Sequence, residues 1–276
     1  MTVYFKTRIS VRQAGRVGAA ALLGLSALSL AGCGGVGGNS AAARVRAINA
    51  AVNAGTANIL VNGASANGDQ QSLSQSSVSP YLYISGDRAS SFSYTTSVTV
   101  PTTIVTPTVP NLTLSNGQFY SVFLIGRSDV TPLPTAPGNK SANDPRFLQV
   151  VVTRDSHNAP TSGSALVRVV DAAADGGAVD VSVNGSTLAG YSGLSFQEPI
   201  TDFLAAPYVN VPSGSVSVQV NKAGTTTPLF APVSTPLSAG KAYTLVLTEP
   251  SAGEAATTTG STATAPTFGV QTIQDN

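Results

Sequence analysis

Residues 43–63 read ARVRAINAAVNAGTANILVNG, and residues 165–185 read ALVRVVDAAADGGAVDVSVNG. The two align without a gap at an offset of 122, with nine of 21 positions identical, Arg46/Arg168 and Asn62-Gly63/Asn184-Gly185 among them. The correspondence continues along the chain. Ser79-Pro80-Tyr81 matches Ala206-Pro207-Tyr208, the stretch from Leu114 to Tyr120 matches that from Leu237 to Tyr243, and Phe147 and Phe268 open the last apolar run of each copy. A repeat near 120 residues is long enough for a hydrophobic core of its own, whereas solenoid repeats run about 20–50 residues. The chain therefore reads as two homologous domains in tandem, residues 43–155 and 164–276, joined by a polar linker at 156–163. Each half is expected to fold by itself.

Within the copies the apolar residues alternate in short runs: 45–48, 58–61, 81–84, 91–95, 120–125 and 148–152, then 167–170, 179–183, 208–211, 215–220, 242–247 and 268–273. A period of two over four to eight residues is the pattern of a strand with one face inward. Pro101, Pro107 and Pro110, and again Pro228, Pro232 and Pro236, crowd the segment before the strongest run, which marks it as an edge strand or a loop. The prediction is all-β: two tandem immunoglobulin-like β-sandwich domains, without the Cys-Trp-Cys core, because the chain has one Cys and no Trp.

Composition excludes several function classes. Lys+Arg 14 against Asp+Glu 13, with no basic run, is not the footprint of a nucleic-acid binder. A single Cys forbids an intrachain disulfide framework and any zinc site of Cys clusters. The one histidine, His157, lies in the polar linker, reads as a solvated loop residue and rules out a site needing two His. Neither a Gly-x-Ser-x-Gly elbow nor a phosphate loop is present. Glu198, Glu249 and Glu254 occur in the second copy only, near loops. No enzymatic activity and no cofactor are expected.

The opening of each copy resembles the bacterial domain of unknown function 4397, which has an Arg-containing first strand, a small-residue turn and a second strand of the Val-Asp-Val type ending in Asn-Gly or Asp-Gly. Residues 167–172, VRVVDA, and 178–185, AVDVSVNG, fit closely. The first copy departs from the pattern, with Val52 and Asn53 where Pro-Asp is frequent and Asn58 where Asp is usual. The resemblance implies a secreted β-domain and no established activity.

The first 32 residues look like a signal peptide. Lys6, Arg8, Arg12 and Arg16 precede an uncharged run over 17–30, too short to span a bilayer as a helix, and Leu30-Ala31-Gly32-Cys33 follows. That tetrad is similar to the bacterial lipoprotein box, which implies cleavage before Cys33 and lipidation of its sulfur. Several acyl chains make a stable anchor where one is marginal. Residues 33–42 would be the lipidated Cys and a flexible tether. The remaining chain carries 10 cations against 13 acids, a charge of −3. Gly34 stands where an inner-membrane retention signal in related lipoproteins carries Asp, so the resemblance points to the outer membrane of a two-membrane envelope.

Four residues stand out as binding candidates. Arg46 and Arg168 occupy matching places on the first strand and could grip a carboxylate or sugar acid through the planar guanidinium; a salt bridge from Arg168 to Asp171 or Asp180 is the plainer alternative. Tyr81 and Tyr208, with Tyr83, stand at strand starts, where rings stack on sugars or pack over a sandwich edge. Asp171, Asp175 and Asp180 could converge on calcium. Their equivalents in the first copy are Asn49, Asn53 and Asn58, a replacement that keeps turn-forming hydrogen bonds and discards metal affinity. Turn formation is therefore the expected role, with the metal site as the alternative. Two stretches rich in small residues, 131–143 and 252–266, read as spacers or recognition loops. The expectation is a lipid-anchored envelope protein that binds an envelope polymer, glycan or protein partner; the rival is an enzyme or transport accessory built on a calcium-dependent acidic turn.

Overall fold

The computed structural model describes residues 42–65, 72–97, 108–128, 146–196, 203–249 and 268–276. Cys33, the signal and tether, Glu198 and Glu254, and the two loop stretches at 131–143 and 252–266 lie outside these residues. All regular structure among the described residues is β. The first copy comprises β1 (Ala42–Asn49), β2 (Ala57–Val61), β3 (Ala64–Ser65), β4 (Ser77–Val78), β5 (Leu82–Ser85), β6 (Arg88–Thr96), β7 (Thr108–Leu114), β8 (Phe119–Ile125) and β9 (Gln149–Asp155). The second comprises β10 (Ser164–Asp171), β11 (Val179–Val183), β12 (Ser186–Thr187), β13 (Val209–Pro212), β14 (Gly214–Lys222), β15 (Val233–Leu237), β16 (Ala242–Thr248) and β17 (Gly269–Gln274).

Each copy is a sandwich of two sheets. In the first, the order β4-β1-β8-β9, with β5 also on β1, faces β3-β2-β6-β7; in the second, β13-β10-β16-β17 faces β12-β11-β14-β15. Pro110 lies in β7 and Pro236 in β15, both strands at sheet edges, where a residue without an N–H does least harm. One pairing was not visible in the apolar pattern: β1 runs parallel to β8, and β10 parallel to β16, at the centre of each first sheet. Asn62-Gly63 and Asn184-Gly185 form the two-residue turns of β2–β3 and β11–β12, and all four have positive φ. That backbone matches the twist of a tight hairpin, which is why Asn-Gly recurs there. Tyr120 and Tyr243 each accept a hydrogen bond from a backbone N–H five residues upstream, at Ser115 (2.8 Å) and Ser238 (2.9 Å). This is the tyrosine corner found in immunoglobulin-like sandwiches.

Each sandwich has its own core. Val45, Ile59, Phe92, Tyr94, Leu114 and Val122 lie in the first, and Val167, Val181, Val218, Leu237 and Leu245 in the second. A third core joins them: Ile48, Phe123, Ile125 and Val151 of the first copy pack with Val170, Ala172, Val246 and Ile273 of the second. These residues alternate with the sandwich-facing ones along the same strands, so β1, β8, β10 and β16 are buried on both faces. The outer faces of the two first sheets thus meet, giving four sheets in succession. The second copy also enters the first core directly. Phe203 packs there, its ring 5.4 Å from that of Tyr120, and the Leu204 N–H bonds the Val152 carbonyl at 2.7 Å. The two halves keep separate cores, and each also covers the outer face of the other's first sheet.

Candidate functional site: a buried polar network between the copies

Alternation along β1 sends Val45 and Ala47 into the sandwich and Arg46 and Ile48 outward, toward the other copy. The guanidinium of Arg46 crosses over. Its Nε donates to Ser121 Oγ at 2.8 Å, its Nη1 to the Gln274 carbonyl at 3.0 Å, and its Nη2 to Asp275. Arg168 does the same in reverse: Nε to Thr244 Oγ1 at 2.8 Å, Nη1 to the Arg154 carbonyl at 2.7 Å, and Nη2 to Asp155. The exchange is reciprocal, as in an isologous interface between two subunits. Each tyrosine closes the ring on its own copy. Tyr81 donates to Asp155 Oδ2 (2.8 Å) and Tyr208 to Asp275 Oδ2 (2.7 Å), while the rings lie 5.0 Å and 4.8 Å from the guanidinium carbons of Arg46 and Arg168.

The network is removed from water. Arg46 is 3% exposed, Arg168 1%, Asp155 7% and Asp275 1%. Burial works against the Arg168 charge, but Asp155 and Asp275 outweigh it and hold its pKa above the ordinary value. Tyr81 and Tyr208 are pushed up, first by burial and then by the neighbouring carboxylates, so both stay protonated donors. Two buried ion pairs of this kind add little net stability over apolar packing, yet losing one partner leaves an uncompensated charge. Each Arg makes two hydrogen bonds to the other copy beneath a tyrosine ring, a geometry that is met only when the two sheets dock in register.

The four binding candidates named from sequence are therefore brought together, with their polar atoms bonded inside the protein. The suggested bridge from Arg168 to Asp171 or Asp180 is corrected: its partner is Asp155, across the copy boundary. Sequence reading missed Asp155 and Asp275. The signal was the duplication itself, since TRD at 153–155 and IQD at 273–275 close the two copies at matching places.

The three aspartates of the alternative metal site go to three places, and no group of three potential metal ligands occurs among the described residues. Asp171 Oδ1 accepts the Ala173 N–H at 2.9 Å, the same turn that Asn49 makes with Ala51 at 3.2 Å. Its Oδ2 is buried without a hydrogen bond, and burial, with Glu249 nearby, raises its pKa to about 7. Asp175 binds Arg127 (3.2 Å) and Arg146 (2.9 Å) of the first copy. Arg127 also holds Glu249 at 3.0 Å, a second ionic contact between copies, and burial raises the Glu249 pKa. Asp180 accepts the N–H groups of Gly224 (2.8 Å) and Gly193 (2.7 Å) and the Ser192 hydroxyl (2.9 Å), which lower its pKa in that order of Gly224 first. His157 is not simply solvated. It stacks on Phe119 with centroids 3.4 Å apart, and burial lowers its pKa.

The second copy also has a cleft of about 300 Å³ between β11, β12 and β13, lined by Val183, Leu188, Val209 and Val211 with Asn184 and Asn210. Its lining holds no ionisable side chain.

No curated protein matches the chain. One family does, described as a domain of unknown function, DUF4397, and it matches twice, over residues 43–182 and 165–273. The duplicated Arg strand, the Asn-Gly hairpin and the paired sandwiches all fall within those matches, and the chain belongs to the DUF4397 family.

Proposed function

We propose that this protein is a lipid-anchored, non-enzymatic module of the cell envelope that holds or binds an envelope polymer, glycan or protein partner. The observation that supports this reading is the reciprocal Arg–Asp–Tyr network. It spends the charged groups of the duplicated site on joining two sandwiches and leaves their sheet edges to present. The apolar, non-ionisable lining of the second-copy cleft fits binding better than acid–base chemistry. Cys33, beyond the described residues, would carry the anchor through a short Gly-rich tether. Fatty-acid labelling with membrane fractionation tests the anchor: the protein should take up label and sediment with membranes, and Cys33→Ser should do neither. A serine variant that still does both ends the lipoprotein reading. Co-sedimentation with isolated envelope polymers tests the binding role, and a protein that stays wholly in the supernatant speaks against it.

A further inference from the structure

The outer face of β1 continues beyond the part covered by the second copy. Arg44 precedes Arg46 by two residues and shares its face. Across the sheet Arg44 pairs with Tyr83 on β5 and with Phe119 on β8, so three side chains stand in a row. Two interstrand spacings make that row about 10 Å long. The Arg44 guanidinium carbon lies 4.5 Å from the Phe119 ring centre and 5.7 Å from that of Tyr83. His157 stacks on Phe119, and Tyr81 meets Phe119 edge-on at 5.2 Å.

Three features separate this row from ordinary packing. Tyr83 is 61% exposed and stands alone among the described residues as an exposed large hydrophobic side chain. Arg44 makes no ion pair among the described residues, and its Nε is buried without a hydrogen bond, whereas the buried Arg46, Arg127 and Arg168 all bind carboxylates. The second copy has Leu166, Asn210 and Ala242 at the same register, so the fold does not require the row.

We propose that the row Tyr83–Arg44–Phe119, flanked by His157, binds a carboxylated glycan. One sugar ring stacks on the open face of Tyr83 and its carboxylate pairs with Arg44. This assignment rests on the reading of the protein as a binding module and names the ligand class. A lone cation between flat rings suits a ring bearing one acid group. An anionic membrane surface is recognised by clusters of about 4–8 Lys/Arg, and a stable protein interface needs about 1,000 Å² or more.

The test is titration of the full-length protein, in detergent, with tetragalacturonate, followed by NMR shifts or calorimetry. Saturable binding is expected, with weakening of at least about tenfold in Arg44→Gln and in Tyr83→Ala, while Tyr83→Phe stays within about twofold. Lys222→Gln, which removes an exposed cation at the end of β14 in the second copy, should change nothing. Neutral cellotetraose should bind at least about tenfold more weakly than tetragalacturonate. Thermal melts check folding, and Tyr83, being exposed, keeps the test informative if the Arg44 variant does not fold. Equal binding of the two tetrasaccharides, affinity indifferent to both substitutions, or binding only to phosphatidylglycerol vesicles overturns the proposal. A protein that sediments with envelope polymers but ignores tetragalacturonate loses this site and keeps the module reading; one that does neither loses both.

Discussion

Replacing Asp171 by Asn is expected to raise the melting temperature, and to raise it more at pH 8 than at pH 5. In the first copy Asn49 holds the same place. Its Oδ1 accepts the Ala51 N–H, and its Nδ2 donates to the carbonyls of Leu73 (2.9 Å) and Gly55 (3.2 Å). Asp171 keeps the first bond and leaves Oδ2 unbonded. Burial, despite the Ala173 N–H and with Glu249 adding to it, moves its pKa from 3.8 to about 7. The folded state therefore holds the proton more tightly than the unfolded chain, and stability falls as pH rises from about 4 to about 7. A rise of about three pH units at 1.36 kcal/mol each sets the loss at about 4 kcal/mol at pH 8 and about 2 kcal/mol at pH 5. An amide does not titrate, so the gap between variant and parent should widen by about 2–3 kcal/mol between the two pH values, or roughly 5–10 °C. Melting both proteins by circular dichroism at each pH isolates the effect, because Glu249 and the other acids titrate in both. A gap that does not grow with pH, or a variant that melts lower at pH 8, refutes the reasoning.

Removing one member of the central network, as in Asp155→Asn, should destabilise by about 3–5 kcal/mol in urea denaturation, since Arg168 loses its carboxylate in the interior. Arg168→Met combined with Asp155→Leu should recover much of that; a single variant within about 1 kcal/mol of the parent contradicts the buried-pair account. Proteolysis at a site engineered into residues 156–163 should leave two fragments that elute together in gel filtration, and their separation would show that the third core is too weak to hold them. Tyr94→Phe removes a hydroxyl that donates to the Val122 carbonyl (2.7 Å) and accepts the Ile48 N–H (3.3 Å). A loss of about 1–3 kcal/mol should follow, measured by the same denaturation, and no loss would mean that these groups find other partners.

The duplication, the strand alternation and the restriction of the Pro-bearing segments to an edge strand or a loop were legible in the chain, because these are local: a period of two, a missing N–H and an Asn-Gly pair act on their own backbone whatever surrounds them. The sequence by itself also determined the turn role shared by Asn49 and Asp171, since an Asx bond spans two residues. What it left open was long-range. The unbroken apolar stretches at 122–125 in β8 and 245–247 in β16 depart from strict alternation and are a sign of strands buried on both faces, but the pattern does not say what covers the second face. Only the tertiary structure paired Arg46 with Asp275 and Arg168 with Asp155, partners separated by 229 and 13 residues. Arg46, Arg168, Tyr81 and Tyr208 were legible as special residues, yet their role depended on whether the two first sheets face water or each other. That choice belongs to the packing of whole sheets, where shape and buried charge from distant parts of the chain must match at once.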